Sequence, residues 1–309
     1  MLITPASNPA ELRAAIARLP PFVARGFAGR PGHLVLRRLD GLTNTSYAVT
    51  AGSETFVVRF AGEGTAEYID RAQELSNHTT AAALGIAPMV EYCDVRDGTL
   101  VTCFIEGAKP LAASDLREPA VLEAVTDLLA RLHNAGCEFR GRRDLFATLD
   151  RYIELAGGCA APDLKTLLQL ERLAGDRARE HRLDARPLRA CHIDPAPSNF
   201  LRLPGDGVRL LLIDWEYASM CDPLWDLADL SLEGQFVSWQ DEVMMARYTG
   251  EIVRDEDRRY LRLYKGLLAL LAAVWAGARL AQANDAAVRE QLSTRLAAGF
   301  ALARDLLSA

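Results

Sequence analysis

The stretch His192-Ile193-Asp194-Pro195-Ala196-Pro197-Ser198-Asn199 and the segment Ile213-Asp214-Trp215-Glu216-Tyr217, whose Asp214 lies fifteen residues beyond Asn199, decide how this chain is read. Two aspartates and an asparagine stand here in an order that suits phosphoryl transfer. That reaction asks little covalent help of a protein, but it needs a divalent cation held against the phosphates and a carboxylate beside the attacking hydroxyl. Asp194 suits the second task, orienting a hydroxyl and taking its proton. Asn199 and Asp214 supply the hard oxygen ligands that Mg²⁺ prefers. Loop Asp and Asn residues also serve turns, so each of these residues alone would say little.

Working outward, Val208 to Ile213 is a short apolar run that reads as a buried strand ending at Asp214, and the Pro-rich loop before it turns Asp194 and Asn199 toward the same point. Most of the C-terminal part is helical. Pro119 to Asn134 spaces Val121, Leu122, Val125, Leu128, Leu129 and Leu132 at helical intervals, with Gly136 as the stop. The N-terminal part is strand-rich. Asn8 or Ser7 caps a helix over Pro9 to Leu19. His33 to Leu39, Ser46 to Thr50 and Thr55 to Phe60 read as strands of an antiparallel sheet. Ala66 to Leu84 reads as a helix closed by Gly85, and Met89 to Cys93 with Thr99 to Ile105 as a hairpin about Arg96-Asp97-Gly98. The pattern predicts an α+β protein with a β-rich lobe over residues 1–106 and a larger helical lobe over 107–309, and a cleft between such lobes favours a ligand.

Composition narrows the chemistry further. The 309 residues carry a net charge of −6, without the basic footprint of a nucleic-acid binder. Lysine occurs only at Lys109, Lys165 and Lys265, and no G-x-x-x-x-G-K-[ST] is present, which excludes a P-loop. Cysteines at 93, 103, 137, 159, 191 and 221 form no metal-finger pattern and read as reduced, small apolar residues. The N-terminus has no secretory pattern, and the apolar run Gly266 to Ala278 falls short of the roughly 18 residues of a membrane span. The expectation is a cytoplasmic protein with no membrane insertion and no nucleic-acid partner.

The combination H-x-D-x-x-x-x-N, apolar strand, I-D-W-E-Y-A and D-P-x-x-D-L-A resembles the choline/ethanolamine kinase branch of the aminoglycoside-phosphotransferase group over roughly residues 36 to 235. The resemblance implies a protein-kinase-like two-lobed fold, with ATP and Mg²⁺ as cofactors and a small-molecule alcohol as acceptor. It places Gly41-Leu42-Thr43-Asn44 at the nucleotide phosphates, so that Thr43 and Asn44 become nucleotide contacts. Arg59 falls where other kinases keep a lysine, and Glu74 on the next helix becomes its ion-pair partner. Phe104 and Ile105 lie in the hinge that reads adenine. His192 and Asp226 are implied as structural supports, Asp226 by accepting backbone N–H bonds from the catalytic loop, while Asp222 reads as a helix cap.

The acceptor is a separate question, because one fold and one catalytic motif serve many alcohols. A quaternary ammonium cannot donate hydrogen bonds and is held by aromatic faces with a nearby carboxylate. Glu216, Tyr217, Glu233 and Trp275 are the candidates. Glu233 and Trp275 match residues that choline kinases place at the cation, yet Ala272 stands where those enzymes carry a second tryptophan. Choline or a related amino alcohol such as ethanolamine is therefore the leading expectation. An aminoglycoside or other hydroxyl-metabolite phosphotransferase is one alternative, and a non-catalytic nucleotide-binding protein with the kinase fold is the other.

Overall fold

The computed structural model describes residues 2–3, 17–20, 23, 34–39, 44–51, 53–62, 65, 69–155, 164–283 and 285–308. Contacts within the chain divide it into two units, Met1–Lys109 with Arg202–Tyr217, and Pro110–Leu201 with Ala218–Ala309. The first unit is built on a six-stranded sheet in the order β1 (Leu2–Ile3), β2 (Leu34–Leu39), β3 (Thr45–Ala51), β4 (Glu54–Phe60), β6 (Thr99–Cys103), β5 (Val90–Asp94). Neighbours are antiparallel except β1 with β2. Side chains alternate across the pleat, so Val58 and Phe60 share a face with Leu36, Tyr47, Val49 and Val101 and close the apolar core there. Arg59 is thereby turned to the other face, in register with Ser46 and Leu100.

Helix α1 (Arg71–Ala83) follows, capped by the Asp70 carboxylate, which accepts from the N–H groups of Ala72 and Gln73 at 2.9 and 3.0 Å. Its buried face carries Arg71, Glu74, Asn77 and His78 as well as alanines. A helix face this polar needs charged partners, because burying unpaired charge is costly. The expected helix over Pro9 to Leu19 lies almost wholly outside the described residues. The apolar run expected as a strand over 208–213 shortens to Leu210–Leu212, where the Leu212 N–H bonds the Ile86 carbonyl at 2.8 Å. That bond helps bring Arg202–Tyr217, which the sequence alone leaves in the helical part, into the first unit.

The second unit is mainly helical. It comprises α2 (Pro119–His133), α3 (Leu145–Leu155), α4 (Leu164–Glu180), α5 (Leu224–Glu233), α6 (Ser238–Thr249), α7 (Asp255–Gln282) and α8 (Ala286–Ser308). The apolar positions read on α2, from Val121 to Leu132, are buried. The long helix α7 packs against α3, α4, α5 and α8. By length and composition alone it could cross a bilayer, but most of its apolar stretch is buried, as in a core helix. A short antiparallel pair, Arg189–Cys191 with Ser219–Cys221, brackets the loop that begins at His192.

Candidate active site

In the first unit, Arg59 is the hub of a charged cluster. Its guanidinium pairs with Glu74, as the sequence suggests, and donates to Asp214 Oδ1 at 2.9 Å, with Glu216 Oε2 at 3.9 Å. Arg71 donates to Glu74 at 2.8 Å and to Glu216 at 3.1 Å. Burial opposes the charged guanidinium of Arg59, but the three carboxylates outweigh that and raise its pKa. Burial pushes the Asp214 carboxyl up, and the Glu74 charge adds to this against the opposing pull of Arg59. Glu216 is likewise raised by burial first and by Asp214 next.

Two guanidiniums thus face three carboxylates, and one oxygen from each of Glu74, Asp214 and Glu216 lies within 4.8 Å of the others. The residual negative charge is what a divalent cation would offset. Asp214 keeps its side chain 31% exposed, whereas those of Glu74 and Glu216 are nearly closed off. Asp214 is therefore the carboxylate that fits a metal. It adopts a positive φ of 67°, uncommon outside glycine, which takes its backbone out of the strand direction two residues after Leu212.

Glu216, expected among the acceptor contacts, is enclosed in this charged cluster. Its residue is 4% exposed, and its carboxylate is engaged by Arg71 and by Asn44 Nδ2 at 2.9 Å. Asn44 also accepts the Gly62 N–H at 3.2 Å, so both ends of its side chain are bonded. Thr43 lies outside the described residues. Phe104 is half-buried with the Arg37 guanidinium 5.7 Å from its ring centre, and its N–H is used by the Thr55 carbonyl. The Ile105 N–H finds no backbone partner among the described residues. Tyr217 is half-buried at the end of a short turn over Trp215–Tyr217.

In the second unit, the loop carrying Asp194 is held by Asp226. The wholly buried Asp226 carboxylate accepts the His192 and Ile193 N–H groups at 2.7 and 2.8 Å and lies 3.0 Å from His133 Nε2. Ile193 has φ = 76°, a strained value for a β-branched residue, and its carbonyl is gripped by Trp225 Nε1 at 3.0 Å. This over-determined kink presents Asp194, half-buried, at the next position. Asn199 donates from Nδ2 to the Asp194 carbonyl at 2.9 Å, which leaves its Oδ1 as an oxygen donor suited to Mg²⁺. His192 is completely buried, the environment of a support. Asp222 caps α5 through the Leu224 N–H at 2.9 Å and also takes Arg186 and the Tyr264 hydroxyl.

A strained loop pinned by one aspartate, beside an Asp/Asn pair, coincides with a family match: a model described as phosphotransferase enzyme family (APH) fits residues 35–270. The chain belongs to the phosphotransferase enzyme family. A choline/ethanolamine kinase family protein from Mesorhizobium loti is 31% identical to this phosphotransferase, with 96% of this chain and 99% of that one covered at a TM-score of 0.74. A structure of LicA in complex with AMP is 25% identical, with 90% and 98% covered at a TM-score of 0.69. Protein LicA of Haemophilus influenzae is 27% identical over 222 residues, 69% of this chain and 62% of that protein, so the chain spans less than two thirds of this relative. The phosphotransferase therefore has a kinase-like fold, with an N-terminal antiparallel sheet and a helical C-terminal region, and its relatives are of the choline/ethanolamine kinase kind.

Three functional candidates escaped the sequence reading. Arg71 shares the load of Arg59, and its spacing of three from Glu74 on a helix was the available signal. Asp229 follows Asp226 by three residues and precedes Glu233 by four, which puts all three on one face of α5. Arg295 pairs with Glu233 and lies over Trp275, 5.6 Å from the ring centre, and nothing in its own neighbourhood of sequence marked it.

Proposed function

We propose that this phosphotransferase moves the terminal phosphoryl group of ATP onto the hydroxyl of an amino alcohol of the choline–ethanolamine class, with Mg²⁺ as the metal. The observation that carries the reading is the Asp226-pinned kink at Ile193, which fixes Asp194 beside Asn199. In the reaction an oxygen–phosphorus bond forms at the acceptor hydroxyl while the bond from the terminal phosphorus to the ADP oxygen breaks. Asp194 orients the hydroxyl and takes its proton. Arg59, kept charged by its carboxylate partners, holds the Asp214 carboxylate through Nη1 and adds positive charge beside it. Asn199 through its Oδ1 and Asp214 through its partly exposed carboxylate each offer an oxygen of the kind Mg²⁺ prefers, and the chemistry that ion would supply when bound is to neutralise the charge of the phosphates. Nucleotide use is supported by the LicA relative that holds AMP.

The test is ADP release measured across a panel of alcohols with wild type and Asp194→Ala. Choline or ethanolamine should raise turnover over background. Loss of the carboxylate should lower kcat by about 10²–10⁴-fold, the usual worth of a general base, with Mg²⁺-ATP binding largely retained. Unaltered turnover in Asp194→Ala removes that residue from the mechanism. Turnover with other alcohols but neither of these two removes the acceptor assignment.

A further inference from the structure

Glu233 and Trp275 offer the carboxylate and aromatic face that suit an ammonium with no N–H to donate. In this protein a cation already sits there. The Arg295 guanidinium pairs with Glu233 and lies over the Trp275 ring. It is delivered by a firmly seated helix, since α8 packs on α7 so closely that a Cβ at Gly299 would come within 2.8 Å of the Ala273 Cβ. A quaternary ammonium entering this cradle must first displace Arg295.

One turn back along α5 the situation is reversed. Asp229 Oδ2 is closed off from solvent and has no hydrogen-bond partner among the described residues. Asp226, one turn further back, has its carboxylate committed to the loop and His133, whereas Asp229 has no such engagement. Burial, with the charges of Asp194 and Glu233 adding, holds the Asp229 carboxyl well above the usual range. A buried acceptor without a donor is costly, and an incoming N–H would relieve that cost. A primary ammonium has such an N–H, and a quaternary one has none.

We propose that Arg295 and Asp229 are specificity-determining residues of the acceptor site. Arg295 fills the Glu233–Trp275 cradle, and Asp229 accepts an N–H from the acceptor's ammonium group, so primary amino alcohols are preferred over quaternary ones. This rests on the amino-alcohol reading above and deepens it.

The experiment compares kcat/KM for ethanolamine and choline in wild type, Arg295→Gln and Asp229→Asn. In parallel, binding of methylammonium and tetramethylammonium, which carry no hydroxyl, is followed by tryptophan fluorescence with Trp275→Phe as control. Arg295→Gln should shift the choline-to-ethanolamine ratio of kcat/KM upward by about tenfold, the combined worth of an exposed ion pair and an exposed cation–π contact. It should also tighten tetramethylammonium binding. Asp229→Asn should raise KM for ethanolamine by about tenfold or more, beyond any change with choline, and weaken methylammonium. Equal shifts for both alcohols in both variants would overturn the proposal, as would cation binding that neither variant alters. If wild type turns over neither alcohol, the amino-alcohol reading fails, and the two ammonium probes then judge Arg295 and Asp229 by themselves.

Discussion

Replacing Asp226 by Asn probes the support of the catalytic loop while keeping the side chain's shape. In wild type one carboxylate accepts from two backbone N–H groups, at 2.7 and 2.8 Å, and lies 3.0 Å from His133 Nε2, with the carboxylate completely buried. Asparagine offers one oxygen and one NH₂, so at least one contact now meets a group unable to accept. Losing one charge-assisted bond costs about 1.5–3 kcal/mol, and a buried donor left unsatisfied costs about 1–3 kcal/mol more. Taking about 3–5 kcal/mol together, the melting temperature should drop by roughly 6–15 °C. The kink at Ile193 loses part of what holds it, so Asp194 shifts, and a misplacement near 1 Å lowers kcat by about 10²-fold. KM for ATP should change much less. Thermal unfolding followed by circular dichroism, with initial rates of ADP release, reads both effects. A variant within about 1 kcal/mol of wild type that keeps its kcat would show that Asp226 does not hold the loop.

Arg59→Met leaves Glu74, Asp214 and Glu216 with Arg71 as the remaining guanidinium, and breaking a buried pair from one side costs about 3–5 kcal/mol. Urea unfolding should show that loss, and nucleotide titration should show weaker ATP binding; a midpoint equal to wild type would contradict the hub role. Burial, reinforced by nearby Glu74 at Cys93 and Glu91 at Cys103, pushes both thiols up to about 11, which favours the neutral form. Since the thiolate is the nucleophile, iodoacetamide at pH 8 should label these two roughly 10²-fold more slowly than a free thiol, with the rate climbing as pH approaches that value. Peptide mass spectrometry reads each site separately.

The parts of the site that were legible in the sequence are those whose chemistry is written locally. Asp194 and Asn199 are five residues apart, with prolines that dictate the turn between them. Arg59 and Glu74 could be paired because the helix carrying Glu74 is the next helix after the strand carrying Arg59. Asp226 could be read as a support because its surrounding motif is distinctive. The contacts of Glu216 could not be read, since its partners Asn44 and Arg71 are 172 and 145 residues away and no local pattern reports a contact at that range. The expected strand before Asp214 ran too long for a similar reason. Its first part belongs to a turn in which the Arg209 carbonyl accepts from the Leu203 N–H, and the positive φ of Asp214 ends it. Arg295 was invisible because Glu233 and Trp275 read as an open cradle only until a third helix, whose register the sequence leaves free, is packed beside them.

The return of Arg202–Tyr217 to the first unit has a consequence for biosynthesis. When the ribosome has made only the sheet and α1, the nascent chain holds Arg59 and Arg71 against the single carboxylate of Glu74, because Asp214 and Glu216 have not yet been translated. That first third of the sequence therefore stays incompletely neutralised through the synthesis of more than a hundred further residues before its ionic ring can close. The charged cluster of the first unit is thus completed only after most of the second unit's loop-bearing segment has been made, although domains generally fold as units during synthesis.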